Sequence, residues 1–531
     1  MFCLNQCHFR GRCAHGFCVC GDGWSGIDCS IPLHPMVVDS LNAAAGTDAG
    51  TDAGTLTAAA ADASDAASDA APAATSAAAS AAAPAHASAD ASAAALRASV
   101  RPLIYVYEMP PRFTSSLLVR RHDKLFCAHR TYLRHNKTQY AYGLYQGYVL
   151  EVLLHEWLLA SPHRTLDPSA ADWFYVPVYA SCAMVTAIFT TPDATPPLYR
   201  AALASDLYVR AHEHVRATWP HWNASGGRDH IWTFGYDEGG CFAPAALRTS
   251  LIISHWGNTM SKHNRCTTTY EADRWDAPAD KPTGLPLASL IGHHACYTPH
   301  KDIVMPSFRE LTTFLPPDAA KPPPRRQSLF FFSGDLGSPA GSHNAGPHTS
   351  PRYSMGIRQA VYRAATRAKA PDVHVVGHFA KDWWHLQYHA AMRNASFCGA
   401  FPGDGWSGGI SSAIFAGCVP VIVMDGIELP FENVLHYPAF SVRISESAVH
   451  QLPEILRAIP RARLEQLQAG LAMARSRFGY ASLAPNEISL SRGLGVEPHA
   501  YLAQLAASNE KEEDAPQTLM RVLLYRAARR Q

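Results

Sequence analysis

The stretch from Phe397 to Phe431, FCGAFPGDGWSGGISSAIFAGCVPVIVMDGIELPF, carries the strongest fold information in the chain. A short apolar run leads into a glycine-rich turn, residues 402–409, and a helical segment follows at roughly 411–416. The chain then enters an apolar strand, residues 419–424, which ends at Asp425. This order of strand, turn, helix and strand is typical of a parallel α/β sheet, and it suits a nucleotide phosphate at the N-terminus of the helix.

Further strand patterns lie on the N-terminal side of this stretch, with helical segments between them. Nearly continuous apolar runs predict strands buried on both faces, and their alternation with helices predicts a parallel, doubly wound sheet. The pattern breaks at a proline-rich stretch near 321–324 and then restarts. We therefore predict an α/β chain with two Rossmann-like domains facing a cleft, residues 101–320 and 321–505. The predicted strands are residues 102–107, 172–179, 229–234, 250–254, 328–332, 373–376, 396–398 and 419–424.

The composition of the 531 residues supports a large buried core. Hydrophobic residues make up 47% and charged residues 17%, which argues against a chain that is disordered throughout. The 45 Lys and Arg residues nearly balance the 44 Asp and Glu residues, for a formal net charge of +1. Nucleic acid is therefore not an expected partner through bulk charge.

One segment departs from this average composition. Thirty of the sixty residues from 41 to 100 are alanine, and large apolar side chains are rare there. Such a segment cannot bury enough apolar area to offset about 1–2 kcal/mol of backbone entropy per residue. We predict a disordered Ala/Ser/Asp-rich stalk at residues 33–100.

Six of the 13 cysteines lie in the first 29 residues, with the spacing C-x3-C-x5-C-x4-C-x-C-x8-C. An even number in so short a segment indicates a disulfide framework, because about 30 residues cannot bury a sufficient core unaided. Six cysteines allow 15 pairings, and the spacing does not choose among them. A zinc site is the less favoured alternative, since C-x-C is closer than the usual zinc spacing.

The run Cys18-Val-Cys20-Gly-Asp-Gly23-Trp24, followed by Cys29, resembles the C-terminal half of an EGF-like module. That resemblance implies an EGF-like module at residues 1–32. The disulfides that it implies are Cys3–Cys13, Cys7–Cys18 and Cys20–Cys29.

A second glycine-containing loop, Ser333-Gly334-Asp-Leu-Gly337, follows the predicted strand at 328–332. Its backbone N–H groups could face a phosphate, although it matches neither a P-loop nor a dinucleotide-binding fingerprint. Arg352 and Arg358 lie downstream, and either guanidinium could pair with a diphosphate through two hydrogen bonds. A simple turn and solvated helix arginines are the alternatives.

Two ordered sets of residues between 102 and 446 carry a more specific pattern. The N-terminal set is Tyr105–Phe113, Glu151, Arg164–Pro168, Asp172, Phe174–Tyr179, Gly227–His230 and Lys301–Pro306. The C-terminal set is Tyr388, Met392, Phe397-Cys398, Pro402-Gly403, Gly417–Val421, Asp425 and Leu429–Phe431. In identity, order and spacing this pattern resembles the exostosin family of glycosyltransferases.

This resemblance implies a GT-B fold and the transfer of a sugar from a nucleotide sugar, usually UDP-linked, to a polysaccharide or a glycoprotein glycan. It implies inversion at the anomeric carbon, no Asp-x-Asp metal site and no cofactor beyond the UDP-sugar donor. The sequence contains no Asp-x-Asp triplet. The residues predicted to bind the nucleotide sugar are Gly334, Arg352, Arg358, Pro402, Gly403, Ser407, Ser412 and Asp425.

The chain departs from the family pattern at two positions. Where the family commonly has arginine and, three residues later, glutamate, this chain has Gly409 and Ser412. A serine can still bond a hydroxyl group of the nucleotide ribose, but more weakly than a carboxylate. The alternative function is therefore a catalytically weakened homologue that acts as an extracellular or luminal binding or scaffold protein. A sugar phosphorylase is less favoured, because no phosphopyridoxal lysine motif is evident.

Inverting transfer needs a general base for the acceptor hydroxyl, expected from the N-terminal half. Asp237 and Glu238 follow a predicted strand and are the first candidates. His230 is the next catalytic candidate, together with Asp229 and His255. For each of them, a purely structural role is the alternative.

The disulfide-rich head and three N-glycosylation triplets, at Asn136, Asn223 and Asn394, favour the secretory pathway. The resemblance implies the Golgi lumen and an oligomer with related transferases. Because no signal sequence precedes Cys3, we expect a membrane anchor or signal upstream of Met1. The alternative is a cytosolic chain whose N-terminal module does not oxidise. The basic tail, residues 506–531, is predicted to form a helix that caps the domain, with a lipid or partner contact as the alternative.

Overall fold

The structure is a computed structural model. The part of it that can be described comprises residues 10–14, 17–20, 24–25, 31–32, 100–118, 130–132, 140–142, 148–184, 197–260, 295–309, 326–336, 353–376, 386–403, 405–483, 488 and 513–530. Residues 1–32 and 101–531 belong to one compact unit. The predicted stalk lies outside the described residues except for Val100.

The cysteine-rich N-terminal segment, residues 1–32, contains two short antiparallel strand pairs among its described residues. Strand β1 (Gly11–Ala14) pairs with β2 (Phe17–Cys20), and Cys13 lies opposite Cys18. Strand β3 (Trp24–Ser25) pairs with β4 (Ile31–Pro32). The cysteine side chains of the head lie outside the described residues, so the EGF-like module and its three pairings stay predictions.

The strands of the N-terminal half are β5 (Ile104–Val106), β6 (Arg130–Tyr132), β7 (Tyr140–Tyr142), β8 (Arg164–Thr165), β9 (Trp173–Tyr175), β10 (His230–Phe234), β11 (Leu251–Ser254), β12 (Gly257–Asn258) and β13 (Ile303–Val304). Six of them form a parallel sheet in the order β13-β11-β10-β9-β5-β8. Strands β6 and β7 form a separate antiparallel pair. The helices of this half are α1 (Ser115–Leu118), α2 (Leu150–Ala160), α3 (Pro197–Thr218) and α4 (His221–Ser225).

The C-terminal half is built on a sheet of five parallel strands in the order β15-β14-β16-β17-β19. Its strands are β14 (Ser328–Ser333), β15 (Val373–Val376), β16 (Ala395–Ala400), β17 (Val419–Ile422), β18 (Ile427–Glu428) and β19 (Val442–Arg443). Its helices are α5 (Ile357–Ala368), α6 (Leu386–Asn394), α7 (Gly409–Phe415), α8 (Leu452–Arg457), α9 (Arg461–Phe478) and α10 (Ala515–Arg530). The two parallel sheets confirm the predicted α/β class with two Rossmann-like parts.

The apolar runs become strands because both of their faces are buried. All five residues of β10 and all four of β17 are buried, so an alternating polar face would leave unsatisfied groups in the core. The predicted helix at 411–416 is found two residues earlier, as α7, because the glycine-rich turn itself continues into it. This helix has seven residues.

Contacts at several places join the two halves. Strand β12 pairs with β18 in an antiparallel ribbon, and the Phe431 N–H donates to the Val304 carbonyl at 2.9 Å. The C-terminal helix α10 packs Leu519 and Leu523 into the core of the N-terminal half. There the Trp173 indole N–H donates to the Leu523 carbonyl at 3.1 Å. The basic tail therefore contains the predicted helix, and that helix returns to the first sheet.

Two disulfides lie in the described part of the chain, Cys398–Cys418 and Cys241–Cys296, and Cys182 is buried. Strand β16 pairs with β17 in a register that aligns Cys398 with Pro420, which brings Cys418 beside it. The bridge therefore closes the base of the loop that contains the glycine-rich turn and α7. Cys418 is fully buried.

A buried carboxylate fixes the ends of two strands of the first sheet. Glu151, in α2, is 1% exposed. Its two oxygens accept hydrogen bonds from Ser181 N at 2.9 Å and Ser181 Oγ at 2.8 Å, and from Tyr208 Oη and Gly235 N, both at 3.2 Å. Burial raises the pKa of Glu151 to about 7, although these hydrogen bonds act in the opposite direction. Ser181 follows β9 and Gly235 follows β10, so Glu151 positions both loops.

We expect the double variant Cys398→Ala/Cys418→Ala to lower the free energy of unfolding by about 3 kcal/mol, because the bridge closes a loop with a separation of 20 residues. Chemical denaturation under non-reducing conditions measures the loss. Cys182→Ala is the control, since it removes another buried sulfur. A loss no larger than that of the control would contradict a stabilising role for the bridge.

We expect the stability contributed by Glu151 to depend on pH. Its folded-state pKa of about 7 lies above the ordinary 4.5, so the folded protein binds this proton more tightly, and the contribution decreases as pH rises from about 4.5 to about 7. The stability of the wild type relative to Glu151→Gln should thus be roughly 2 kcal/mol larger at pH 5 than at pH 8.

Denaturant titrations of both proteins at the two pH values measure this difference. Glu213→Gln is the control, because Glu213 is exposed on α3. A difference that is the same at pH 5 and pH 8 would show that Glu151 does not titrate in this range.

Candidate active site

The carboxyl ends of the two sheets meet through one pair of loops. Residues 235–240 follow β10, and the glycine-rich turn follows β16. The Trp406 backbone N–H donates to the Asp237 carbonyl at 3.0 Å, and its indole N–H donates to the Tyr236 carbonyl at 3.1 Å. Ligands of open parallel sheets bind at this end of the strands, so the junction is the candidate active site.

The approach of the two loops requires a glycine. Gly405 has a φ of 154°, and a Cβ at this position would collide with the Asp237 carbonyl. Next to it the Trp406 ring packs against His255, with ring centroids 4.8 Å apart, and edge-on to Tyr148 at 6.1 Å. The junction is thus a close backbone contact flanked by aromatic rings.

Asp237 is held by a tyrosine. The Tyr148 hydroxyl donates to both carboxylate oxygens of Asp237, each at 3.1 Å, and its ring stacks on Tyr236 with centroids 5.6 Å apart. Burial and the charge of Asp237 raise the pKa of Tyr148 well above its ordinary value, which keeps the hydroxyl a donor. Asp237 is partly exposed, whereas Glu238 is fully buried at the start of the turn Gly239–Phe242.

The structure separates His230 from these two carboxylates. His230 begins β10, whereas Asp237 and Glu238 follow its end. The buried ring bonds Asp229 through Nδ1 at 2.7 Å and the Tyr107 hydroxyl through Nε2 at 2.8 Å. Burial lowers the pKa of His230, with Asp229 opposing the shift. By contrast, the structure brings His255 to the junction, where its Nδ1 bonds the Met305 carbonyl at 2.8 Å.

Arg358 lies between two of the predicted phosphate loops. A Cβ on Gly334 would be 3.2 Å from its Nη1, and a Cβ on Gly403 would be 3.6 Å from its Nη2. Nη1 donates to the Asp335 carbonyl at 3.1 Å and to the Tyr353 hydroxyl at 3.2 Å. Arg358 is 7% exposed. Three predicted binding residues therefore lie together, with Gly334 and Gly403 next to the buried guanidinium of Arg358.

A strained turn presents Tyr353 to this arginine. Ser354, Met355 and Gly356 have left-handed φ values of 57°, 54° and 74°. Non-glycine residues in this region cost free energy and persist only where the surrounding structure imposes them, often at functional sites. Pro402 is buried beside Gly403, and Arg352 lies outside the described residues.

Two serines of the predicted set lie on the turn and on α7. Ser407 Oγ accepts from Gly409 N at 3.2 Å, and buried Ser412 is hydrogen-bonded to the side chain of Tyr388. Burial raises the pKa of Tyr388, while Arg309 and Arg358 act in the opposite direction. Tyr388 belongs to the residues that carry the family resemblance, but the sequence does not predict it as a site residue. Tyr148 and Arg309 carry no motif that would have identified them.

Asp425 lies at the same sheet edge but in a different environment. It exchanges hydrogen bonds with Glu446: each backbone N–H donates to the other carboxylate, both at 3.0 Å. Asp425 lines an open cleft of about 420 Å³ whose wall also contains Glu428 and Glu432. Arg443 also lines this cleft, so its wall carries both acidic and basic side chains.

Among the residues that the structure describes, no group of three or more His, Cys, Asp or Glu side chains is arranged to hold a metal ion. The described helices include none of the length and apolar character needed to span a bilayer. Of the predicted glycosylation sites, Asn223 is exposed, Asn394 is half-buried and accepts a hydrogen bond from Gln327 N at 3.1 Å, and Asn136 lies outside the described residues.

Known proteins resemble this chain over most of its length. A probable glucuronosyltransferase of Oryza sativa subsp. japonica is 27% identical over 395 residues, which cover 72% of this chain and 77% of the relative. The probable beta-1,4-xylosyltransferase IRX10 of Arabidopsis thaliana is 26% identical over 384 residues, which cover 70% and 76%. The crystal structure of Anabaena Alr3699/HepE in complex with UDP matches with 9% identity and a TM-score of 0.27, over 61% of this chain and 79% of that one.

The family model of the Exostosin GT47 domain matches residues 98–459, which is well over half of the chain. The matched range contains both parallel sheets and the junction between Asp237 and Trp406. The chain therefore belongs to the exostosin GT47 family of glycosyltransferases.

Proposed function

We propose that this glycosyltransferase moves a hexosyl or pentosyl unit from a UDP-linked donor to a hydroxyl of a polysaccharide or glycoprotein glycan, with inversion and without a metal ion. The names of its relatives, probable glucuronosyl- and xylosyltransferases, support a sugar donor of this kind. The observation that carries the proposal is the junction that brings Asp237 to the glycine-rich turn of the other half. A partly exposed carboxylate then lies on the loop after β10, and a buried guanidinium lies in the first turn of α5.

Asp237 has the chemistry of a general base. In the proposed reaction it takes the proton of the acceptor hydroxyl while the hydroxyl oxygen forms the new bond to the anomeric carbon. The bond from that carbon to the phosphate oxygen breaks on the opposite face, and its electron pair leaves with UDP. Tyr148, which donates to both carboxylate oxygens, would orient Asp237 without taking its proton.

The donor diphosphate would lie against Arg358. This guanidinium is buried between the Gly334 and Gly403 loops, where its charge is less screened than at the surface. It would stabilise the negative charge that develops on the departing UDP and so assist departure without a metal ion. Ser412, on the neighbouring helix α7, could offer a hydroxyl to the nucleotide ribose in place of a carboxylate.

We also propose that the chain acts in the Golgi lumen, in association with related transferases. The disulfides Cys241–Cys296 and Cys398–Cys418 support an oxidising compartment. The exposed Asn223 triplet supports the same compartment, because N-glycosylation requires an accessible acceptor.

We expect Asp237→Asn to lower kcat for sugar transfer by about 10²- to 10⁴-fold, because the amide cannot accept the acceptor proton. UDP affinity should stay within about twofold, since Asp237 itself has no proposed contact with the diphosphate. UDP release from UDP-glucuronic acid and UDP-xylose with glycan acceptors measures the rate, and titration calorimetry measures UDP binding.

Asp372→Asn is the matched control, because this carboxylate is exposed and pairs with Arg457 at the surface. Full activity in Asp237→Asn would exclude Asp237 as the base. A wild type that neither releases nor binds UDP would contradict the proposed function as a whole.

We expect activity in excess EDTA to stay within about twofold of the untreated enzyme, since the proposed leaving-group charge is met by arginine. The anomeric configuration of the product, read from its NMR coupling constant, should be opposite to that of the donor. Loss of activity in EDTA that Mn²⁺ restores would contradict the metal-independent reaction, and retained configuration would contradict inversion.

A further inference from the structure

A second arginine reaches the glycine-rich turn from the N-terminal half. Arg309 follows β13, and Phe308 beside it packs in the core of that half. The carbonyl of Pro306 accepts a hydrogen bond from the buried Tyr480 hydroxyl at 2.6 Å. The backbone next to Arg309 is therefore held by the core of the N-terminal half and by Tyr480 of the C-terminal half.

The guanidinium of Arg309 covers Gly408, which immediately precedes α7. A Cβ at residue 408 would overlap with the Nη2, Cζ and Nε atoms of Arg309. A glycine at this position is therefore what allows the side chain to lie across the turn. The contact joins the residue before α7 to a cation on the segment that follows β13.

The described residues leave part of the Arg309 guanidinium without a hydrogen-bond partner. Arg309 Nε is buried and has no hydrogen-bond partner among the described residues. Burial lowers the pKa of Arg309, and the nearby Tyr388 and Tyr148 side chains act in the opposite direction. Tyr388 is also close enough to Arg358 to respond to its charge. Two guanidinium groups thus act on one tyrosine, and like charges in a buried region favour an anionic ligand.

We propose that Arg309 is a binding residue for the diphosphate of the donor and that it acts together with Arg358 from the opposite half. This inference rests on the proposed function and identifies a residue of the site that no motif predicts. A planar guanidinium can give two parallel hydrogen bonds to phosphate oxygens, whereas the uncharged uridine gives it no comparable partner. Donor binding would then also connect the two halves across the junction.

The test compares UDP with uridine, because the two ligands differ only in the diphosphate. In calorimetric or ligand-detected NMR titrations, Arg309→Ala should weaken UDP binding at least tenfold and leave uridine binding unchanged. Arg309→Lys keeps the charge but loses the two-pronged geometry, so it should retain part of the UDP affinity. Gly408→Ala should weaken UDP binding without altering any charged group, because it displaces the guanidinium.

Arg457→Ala is the matched control, since it removes one exposed arginine from the C-terminal half and should leave both affinities unchanged. Unchanged UDP affinity in Arg309→Ala, or an equal loss for UDP and uridine, would overturn the inference while leaving the proposed function intact. If Arg309→Ala does not fold, unchanged UDP affinity in both Arg309→Lys and Gly408→Ala would overturn it instead. A wild type that does not bind UDP would overturn the proposed function together with this inference.

Discussion

The two hydrogen bonds from Trp406 to the backbone of Tyr236 and Asp237 join the carboxyl ends of the two parallel sheets. The candidate site exists because of this contact. It requires Gly405, since a side chain there would occupy the space of the Asp237 carbonyl. It also determines where the Asp237 side chain stands relative to the glycine-rich turn. Backbone hydrogen bonds are suited to this task, because they depend on main-chain position and not on side-chain rotamers.

Each side of the junction is stabilised by a different kind of interaction. On the N-terminal side, Glu151 accepts hydrogen bonds from the residues that follow β9 and β10, and its burial makes the loss of these bonds costly. On the C-terminal side, the Cys398–Cys418 bridge closes the loop that contains the glycine-rich turn. The C-terminal helix α10 also connects the two halves, because it packs on the core of the N-terminal half. A rigid scaffold of this kind is what precise positioning of reacting groups requires.

The polar centre of the site is organised by two tyrosines. Tyr148 bonds Asp237 on the proposed acceptor side, and Tyr388 bonds Ser412 on the proposed donor side. Arg309 acts on both of them, so the two sides of the proposed reaction share one cation. This arrangement also gives a physical context to the unusual Gly409 and Ser412. The region lacks the charged pair that the family resemblance leads one to expect on α7, and a cation from the other half lies over the preceding residue.

Local sequence determined the α/β class, the two halves, most strands of the two parallel sheets and the glycine-rich turn. Burial on both faces selects continuous apolar residues, and a tight turn selects glycine, so each is written in neighbouring positions of the chain. Only the tertiary structure decided which distant groups meet. The Cys398–Cys418 bridge depends on the register of two strands, and the contact of Arg309 with Gly408 joins residues from different halves. Such contacts arise from through-space proximity after packing, for which a single sequence carries no local signal.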